Sequence, residues 1–245
     1  MKLFNVIMFG LLVTFVMSCH NEIENRDDID YGLDYYPIDQ GAEWIYASDS
    51  IIVRLGGPRR DTLHSYIREV ISGEYIDEEG DKVQKVVRFW KRSLNDEWSS
   101  INTWAIKKDS SSLVKNEENI RLVRLAFPIY LHKKWDPTIY FDNSIKVDTG
   151  GDILKVYEGW DAEVMSVEAP YEFEGQSYKA MEIVMADEET VIDKRYEIDT
   201  YVKGIGMVKK SMIIYDSNGT KPTSSWEVKA NSGFEHTLTL ISYTK

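Results

Sequence analysis

The chain carries one thiol, Cys19, and four imidazoles, His20, His64, His132 and His236, among abundant carboxylates. A zinc site needs ligands that converge on one ion, such as paired histidines one helical turn apart. These histidines stand singly, with no His-x-x-x-His or His-Glu pairing, so neither a metal centre nor any other cofactor is expected. Acyl transfer is equally unprovided for, because no Gly-x-Ser-x-Gly elbow presents a nucleophilic serine. A glycosidase asks for only two carboxyl groups about 5 to 9.5 Å apart. The dense acidic runs, Asp77 to Asp81 and Asp187-Glu188-Glu189, read as turns where charge is simply solvated, so glycosidase-like chemistry ranks third and no catalytic residue is assigned. Asp148-Thr149-Gly150-Gly151-Asp152 sets hard oxygen ligands close together, as calcium prefers, but matches no calcium loop in spacing. Aromatic rings are what remain. Trp90, Trp98, Trp104 and Trp160 are the candidates to line a pocket, where an indole can pack on an apolar tail or stack on a sugar.

Cys19 has a telling neighbourhood. Lys2 is a positive start, Leu3 to Met17 an apolar run broken by Asn5, and Ser18 a small residue before the cysteine, the layout of a cleaved export signal. The run is too short for a spanning helix, which needs about 20 apolar residues. Val16-Met17-Ser18-Cys19 resembles the lipobox of bacterial lipoproteins. That resemblance implies a signal peptide over 1–18 and acylation, palmitate included, of Cys19 as the mature N-terminus. Several chains hold a protein stably where one does not. His20, in a place where aspartate retains such proteins in the inner membrane, implies the outer membrane, with the periplasmic or cell-surface face open. Residues 19–35, with Glu22, Glu24, Asp27, Asp28, Asp30 and Asp34, predict a solvated acidic tether. Its acidity loosely resembles a surface-export signal, and a plain linker explains it as well.

The elements that must position any site are strands. Ile198, Thr200 and Val202 alternate with Glu197, Asp199 and Lys203, and Met181, Ile183 and Met185 with Glu182 and Val184. Further β-rich runs cover 44–55, 63–75, 83–90, 98–106, 120–127, 161–167, 205–215 and 226–243. Asp77 to Asp81, Thr149 to Asp152, Gly175 and Asp216-Ser217-Asn218-Gly219 read as turns, the Asn-Gly pair favouring a tight hairpin. Short turns predict antiparallel neighbours. The expectation is one all-β domain over 36–245, a single antiparallel, strongly curved sheet forming a half-barrel or barrel, since so many strands cannot stay flat. Gly204 and Gly206, two apart between strong strands, predict a bulge or sharp bend rather than a dinucleotide loop, which would need a third glycine and a helix.

Composition bounds the partners. With 245 residues, 43% hydrophobic and seven tryptophans, a real core is available, and a lone cysteine leaves no disulfide to support it. A net charge of −12 disfavours nucleic acid and anionic membrane surfaces.

An echo joins the two halves: Tyr36-Pro37-Ile38 leads to Trp44 as Phe127-Pro128-Ile129 leads to Trp135. Similar strand-entry corners explain it better than a duplicated site. Together, Tyr-Pro-Ile-x-x-Gly-x-x-Trp-x-Tyr (Tyr36 to Tyr46), Phe127 to Trp135 and Tyr-x-x-Gly-Ile-Gly-x-Val (Tyr201 to Val208) resemble a family of uncharacterised bacterial lipoproteins. His132 departs from the glycine common in its middle motif. The family implies a lipoprotein and a domain extent, and no activity. Two functions stay open: a membrane-anchored, non-catalytic binding module for a small amphiphile or glycan, and a structural lipoprotein contacting an envelope protein through strand edges. A concave face lined with aromatics would favour the first, and a filled interior with an apolar outer patch the second.

Overall fold

The computed structural model describes residues 30–54, 60–149 and 152–245, so Cys19, the signal segment and most of the acidic tether lie outside the described residues. Fourteen strands are described: β1 Glu43–Val53, β2 Arg60–Ile76, β3 Lys82–Lys91, β4 Ser99–Lys108, β5 Ser112–Glu117, β6 Ile120–Ala126 and β7 Lys134–Trp135, then β8 Val147–Asp148, β9 Ile153–Leu154, β10 Ala162–Phe173, β11 Gln176–Glu189, β12 Asp193–Val202, β13 Gly206–Asp216 and β14 Ser232–Thr244. Twelve form one antiparallel sheet in the order β6-β5-β4-β3-β2-β1-β14-β13-β12-β11-β10-β7, while β8 and β9 pair with each other. The first and last long strands meet in its middle. The all-β, single curved sheet expected from period-two alternation is therefore what forms, nearly closed into a barrel.

Curvature has a local cause. Register shifts interrupt the ladders at Ile45/Tyr46, Ile71/Gly73, Arg88/Phe89, Val184/Ala186 and Thr200/Tyr201, and each extra residue bends its strand and adds twist. The two edges then approach one another. Edge strand β6 donates Val123 N–H to the carbonyl of Pro137, just beyond β7, at 2.9 Å, and accepts at Val123 O from the Trp135 indole at 2.8 Å. These two bonds form a seam.

The interior is built from alternate residues, among them Trp44, Tyr46, Ile67, Ile71, Leu122, Ile183 and Leu240. At one end the Trp44 indole donates to Ile205 O at 2.6 Å and the Tyr46 hydroxyl to Met207 O at 3.0 Å. Gly206 sits here at φ 106, where a Cβ would lie 3.2 Å from Trp44 Nε1, and the β12–β13 ladder shifts register beside it, in agreement with the expected bend. Both tryptophans of the echo stand in strands, Trp44 in β1 and Trp135 in β7, and each donates its indole N–H to a distant main chain. A short 3-10 helix, Leu33–Tyr35, buries Tyr35 against this end, so packing begins a little before residue 36.

Three local expectations change. Asn218-Gly219 does not close a tight hairpin: residues 217–231 make a long connection holding the one-turn helix α1, Trp226–Lys229. Trp226 and Ala230 need burial and find it against Tyr215 and Val53 on the outer side of the sheet, so the 226–243 run is strand only from Ser232. Asp187-Glu188-Glu189 is no turn but the end of β11, where Glu188 and Glu189 pair in register with Arg195 and Lys194. β5 is a further strand, six residues with two charges, that no β-rich run in the sequence announces.

Candidate ligand cavity

Strand alternation places two very different rows inside this sheet. On β12 the inner row is Glu197, Asp199 and Tyr201, with both carboxylates 0% exposed, while Ile198 and Thr200 are partly exposed. Apolar neighbours on the other strands carry further charges inward: Glu69 between Ile67 and Ile71, Arg88 two residues after Val86, Arg124 two after Leu122, and Lys210 opposite Leu238. Burying an ion costs several kcal/mol unless it is paired and its remaining bonds are met.

Pairing is close to complete. Arg124 Nη2 lies 3.0 Å from both oxygens of Glu117, and its Nη1 donates to Glu197 at 2.5 Å. Lys210 Nζ stands 3.2 Å from the same Glu197 oxygen. Glu69 accepts from Arg88 Nε at 2.9 Å and from Lys115 Nζ at 3.1 Å. The Tyr201 hydroxyl donates to Asp199 at 3.0 Å. Arg124, on edge strand β6, thereby bolts the seam to β12 across the interior. Trp104 carries the Arg88 guanidinium 3.5 Å from its ring centre and the Lys115 ammonium at 4.6 Å, a cation–π arrangement.

Proton affinities follow from these surroundings. Burial alone would raise Glu117, but Arg124, Lys210 and Lys115 outweigh it and hold the carboxyl far below the usual range. Lys115 and Arg88 likewise outweigh burial at Glu69, whose affinity is lowered. Asp199 goes the other way, pushed up to about 6 by burial and by Glu197 despite Lys210 and Arg124. His236, 3.1 Å from the Ser48 hydroxyl, is pushed down to about 4 by burial and by Lys210 and Arg88.

Against this network opens a cavity of about 540 Å³, within the range of about 300–1,000 Å³ usual for small-molecule sites. Its inner charged residues are Glu69, Arg88, Lys115, Glu117, Arg124 and Lys210, with the His236 imidazole beside them and the exposed Glu118, Lys146 and Asp148 further out. Its apolar wall is Val156, Tyr157, Met207, Met212, Phe234 and Leu238, and residues Ile145 to Thr149, including β8, lie along it as well. The cavity is thus amphipathic.

Of the four tryptophans singled out from sequence, Trp104 lines the cavity. Trp160 stands one layer behind, donating to Val156 O at 2.9 Å with its ring 5.0 Å from that of Tyr157. Trp90 packs against the core, and Trp98 lies ahead of β4 beside Lys91 and Arg68, so the four do not converge. Sequence reasoning passed over the charged wall. The available signal was parity: Glu69 and Arg124 occupy the same strand face as Ile67, Ile71 and Leu122. The acidic turn Asp77, Glu79, Asp81 brings its carboxylates within 4.8 Å of one another. Lys107 supplies the positive charge there, 2.9 Å from Glu79 and 3.5 Å from Asp77, and pairs with Asp81 too.

No protein-family model matches the sequence, and no curated protein does. Among solved structures, one similar chain is assigned as a lipoprotein of Parabacteroides distasonis ATCC 8503, at 9% identity and TM-score 0.32 over 89% of this chain and 100% of that one. Lipovitellin, solved for its lipid–protein interactions, is similar at 11% identity and TM-score 0.34 over 85% of this chain and 26% of its own. A domain assigned as an outer membrane lipoprotein-sorting protein of Vibrio parahaemolyticus follows at 9% identity and TM-score 0.23, over 83% of this chain and 85% of that one. All three likenesses are remote.

Proposed function

We propose that this chain is a non-catalytic lipoprotein of the bacterial envelope, anchored in the outer membrane through acylated Cys19, whose β-domain binds a small amphiphile. The observation that carries the binding reading is the cavity of about 540 Å³ lined by both charged and apolar side chains. A molecule with a polar head and an apolar tail satisfies both, whereas a wholly apolar one would leave the charges facing hydrocarbon. A glycan is the poorer fit, since the Arg88 guanidinium already covers the Trp104 ring that a sugar would stack on. The alternative, an interaction lipoprotein using exposed strand edges, loses support because β6 is bonded at Pro137 and β7 spans two residues. The lipobox and the three family segments support the lipoprotein part of the reading.

The test is native mass spectrometry of the anchored protein released from membranes in mild detergent, with adducts of the detergent's own mass discounted. A reproducible added mass is expected that leaves on denaturation and is lost in Met212→Trp, which puts a bulkier side chain into the cavity. A clean protein mass for the wild type, or an adduct unaffected by filling the cavity, overturns the proposal.

A further inference from the structure

Hydrogen-bond capacity on the charged wall is unequal. An ammonium has three N–H donors and a guanidinium five, while a carboxylate only accepts. Glu69 has one oxygen engaged by Arg88 and the other by Lys115. Glu117 has both oxygens engaged by Arg124. The cations are less fully used: Lys115 contacts one carboxylate oxygen, of Glu69, and Lys210 one, of Glu197. Arg88 spends Nε on Glu69 and Nη1 on Asn102, which leaves Nη2. Trp104 adds a buried indole N–H without a partner. The buried oxygens without a donor among the described residues, on Gln84, Asn116, Glu197, Asp199 and Tyr243, all belong to residues outside the cavity lining. Among the inner groups of the cavity, donors therefore exceed acceptors, while the carboxylates of Glu118 and Asp148 lie exposed further out. Lys115 and Lys210 are both buried, and an anionic oxygen entering the cavity would meet this surplus through charge-assisted bonds stronger than those water makes.

Resting on the cavity being the binding site, we infer that its ligand is a single-chain amphiphile with an anionic oxygen head, a carboxylate or phosphate, held by Lys115 and Lys210 with its tail along Met212 and Phe234. The chain's overall charge of −12 does not oppose this. That charge repels anionic surfaces over long range, whereas inside the cavity Glu69 and Glu117 are consumed by their partners and the ligand meets the unspent N–H groups directly.

The experiment is calorimetric titration of the full chain carrying Cys19→Ser, so that no attached acyl chain competes, with three probes each built on a twelve-carbon chain: dodecanoate, dodecyl maltoside and dodecyltrimethylammonium, each below its micellar concentration. Dodecanoate is expected to bind at least about tenfold more tightly than either other probe, the worth of one charge-assisted hydrogen bond. Lys115→Gln and Lys210→Gln should each weaken dodecanoate about tenfold and leave the maltoside unchanged. Equal binding of all three probes overturns the head-group inference while leaving the amphiphile cavity intact. Binding of none overturns the cavity reading as well. Acetate displacing dodecanoate at equal concentration would make the ligand a free small anion and overturn the amphiphile. The comparison of heads on the unsubstituted cavity decides the matter even where a lysine variant fails to fold.

Discussion

His236 and Asp199 pull the pH dependence of folding in opposite directions. The folded chain keeps His236 neutral until about pH 4 against an ordinary 6.5, so the unfolded chain binds its proton first. Stability from this residue is complete above 6.5 and is lost as pH falls toward 4, roughly 3 kcal/mol at about 1.36 kcal/mol per unit. Asp199 holds its proton up to about 6, so its contribution is greatest at low pH and declines as pH rises from about 3.9 through 6. His236→Gln should remove the first slope alone. Relative to wild type it should gain urea resistance at pH 4.5 over its value at pH 7.5, and an identical difference at the two pH values would refute the assignment. Gly206→Val tests a different residue-level constraint. A β-branched side chain at φ 106, with Cβ 3.2 Å from the Trp44 indole nitrogen, should cost on the order of 2 kcal/mol. An unchanged melting temperature would tell against that geometry. The glycine pair was legible as a bend, but nothing local to it disclosed that Trp44, far away in sequence, fills the space.

Period two identifies a strand without saying which side faces in. On β12, residues 198 and 200 look like an inner row and 197 and 199 like an outer one, and the fold does the opposite because Arg124 and Lys210 wait inside for those carboxylates. The strands were therefore readable from local pattern, while the charged wall depended on partners in other strands that no local pattern names. The same holds for α1, which follows from Trp226 meeting Tyr215 rather than from helix propensity. The seam is the element-scale feature most open to test. Trp135→Phe removes the indole bond to Val123 O, at a cost of about 1 kcal/mol. Amide exchange at Val123 should then quicken more than at Ile183 in the middle of β11, and uniform change across the sheet would mean that the edges are held by something else.

At the scale of the molecule, two sources of information divide the chain. Order and spacing near the N-terminus speak for an address, and the curved sheet speaks for what is carried there. Cys19→Ser should leave an uncleaved precursor without acyl chains, seen as a mass equal to the full 245 residues. Processing and membrane partition of that variant at wild-type levels would sink the anchor. The cavity escaped the sequence because it is a property of closure: residues from β2, β3, β5, β6, β13 and β14 face one another only once the bulges have curled the sheet.

Trp104 gives this interior a voice of its own. Among the seven tryptophans it is the one in the cavity lining, and two cations rest against its indole. Any occupant that draws Arg88 or Lys115 away changes the electric field across that ring and with it the colour of its emission, so filling of the cavity can be followed by light, in unlabelled protein, as a shift that Trp104→Phe should abolish while the other six tryptophans still emit.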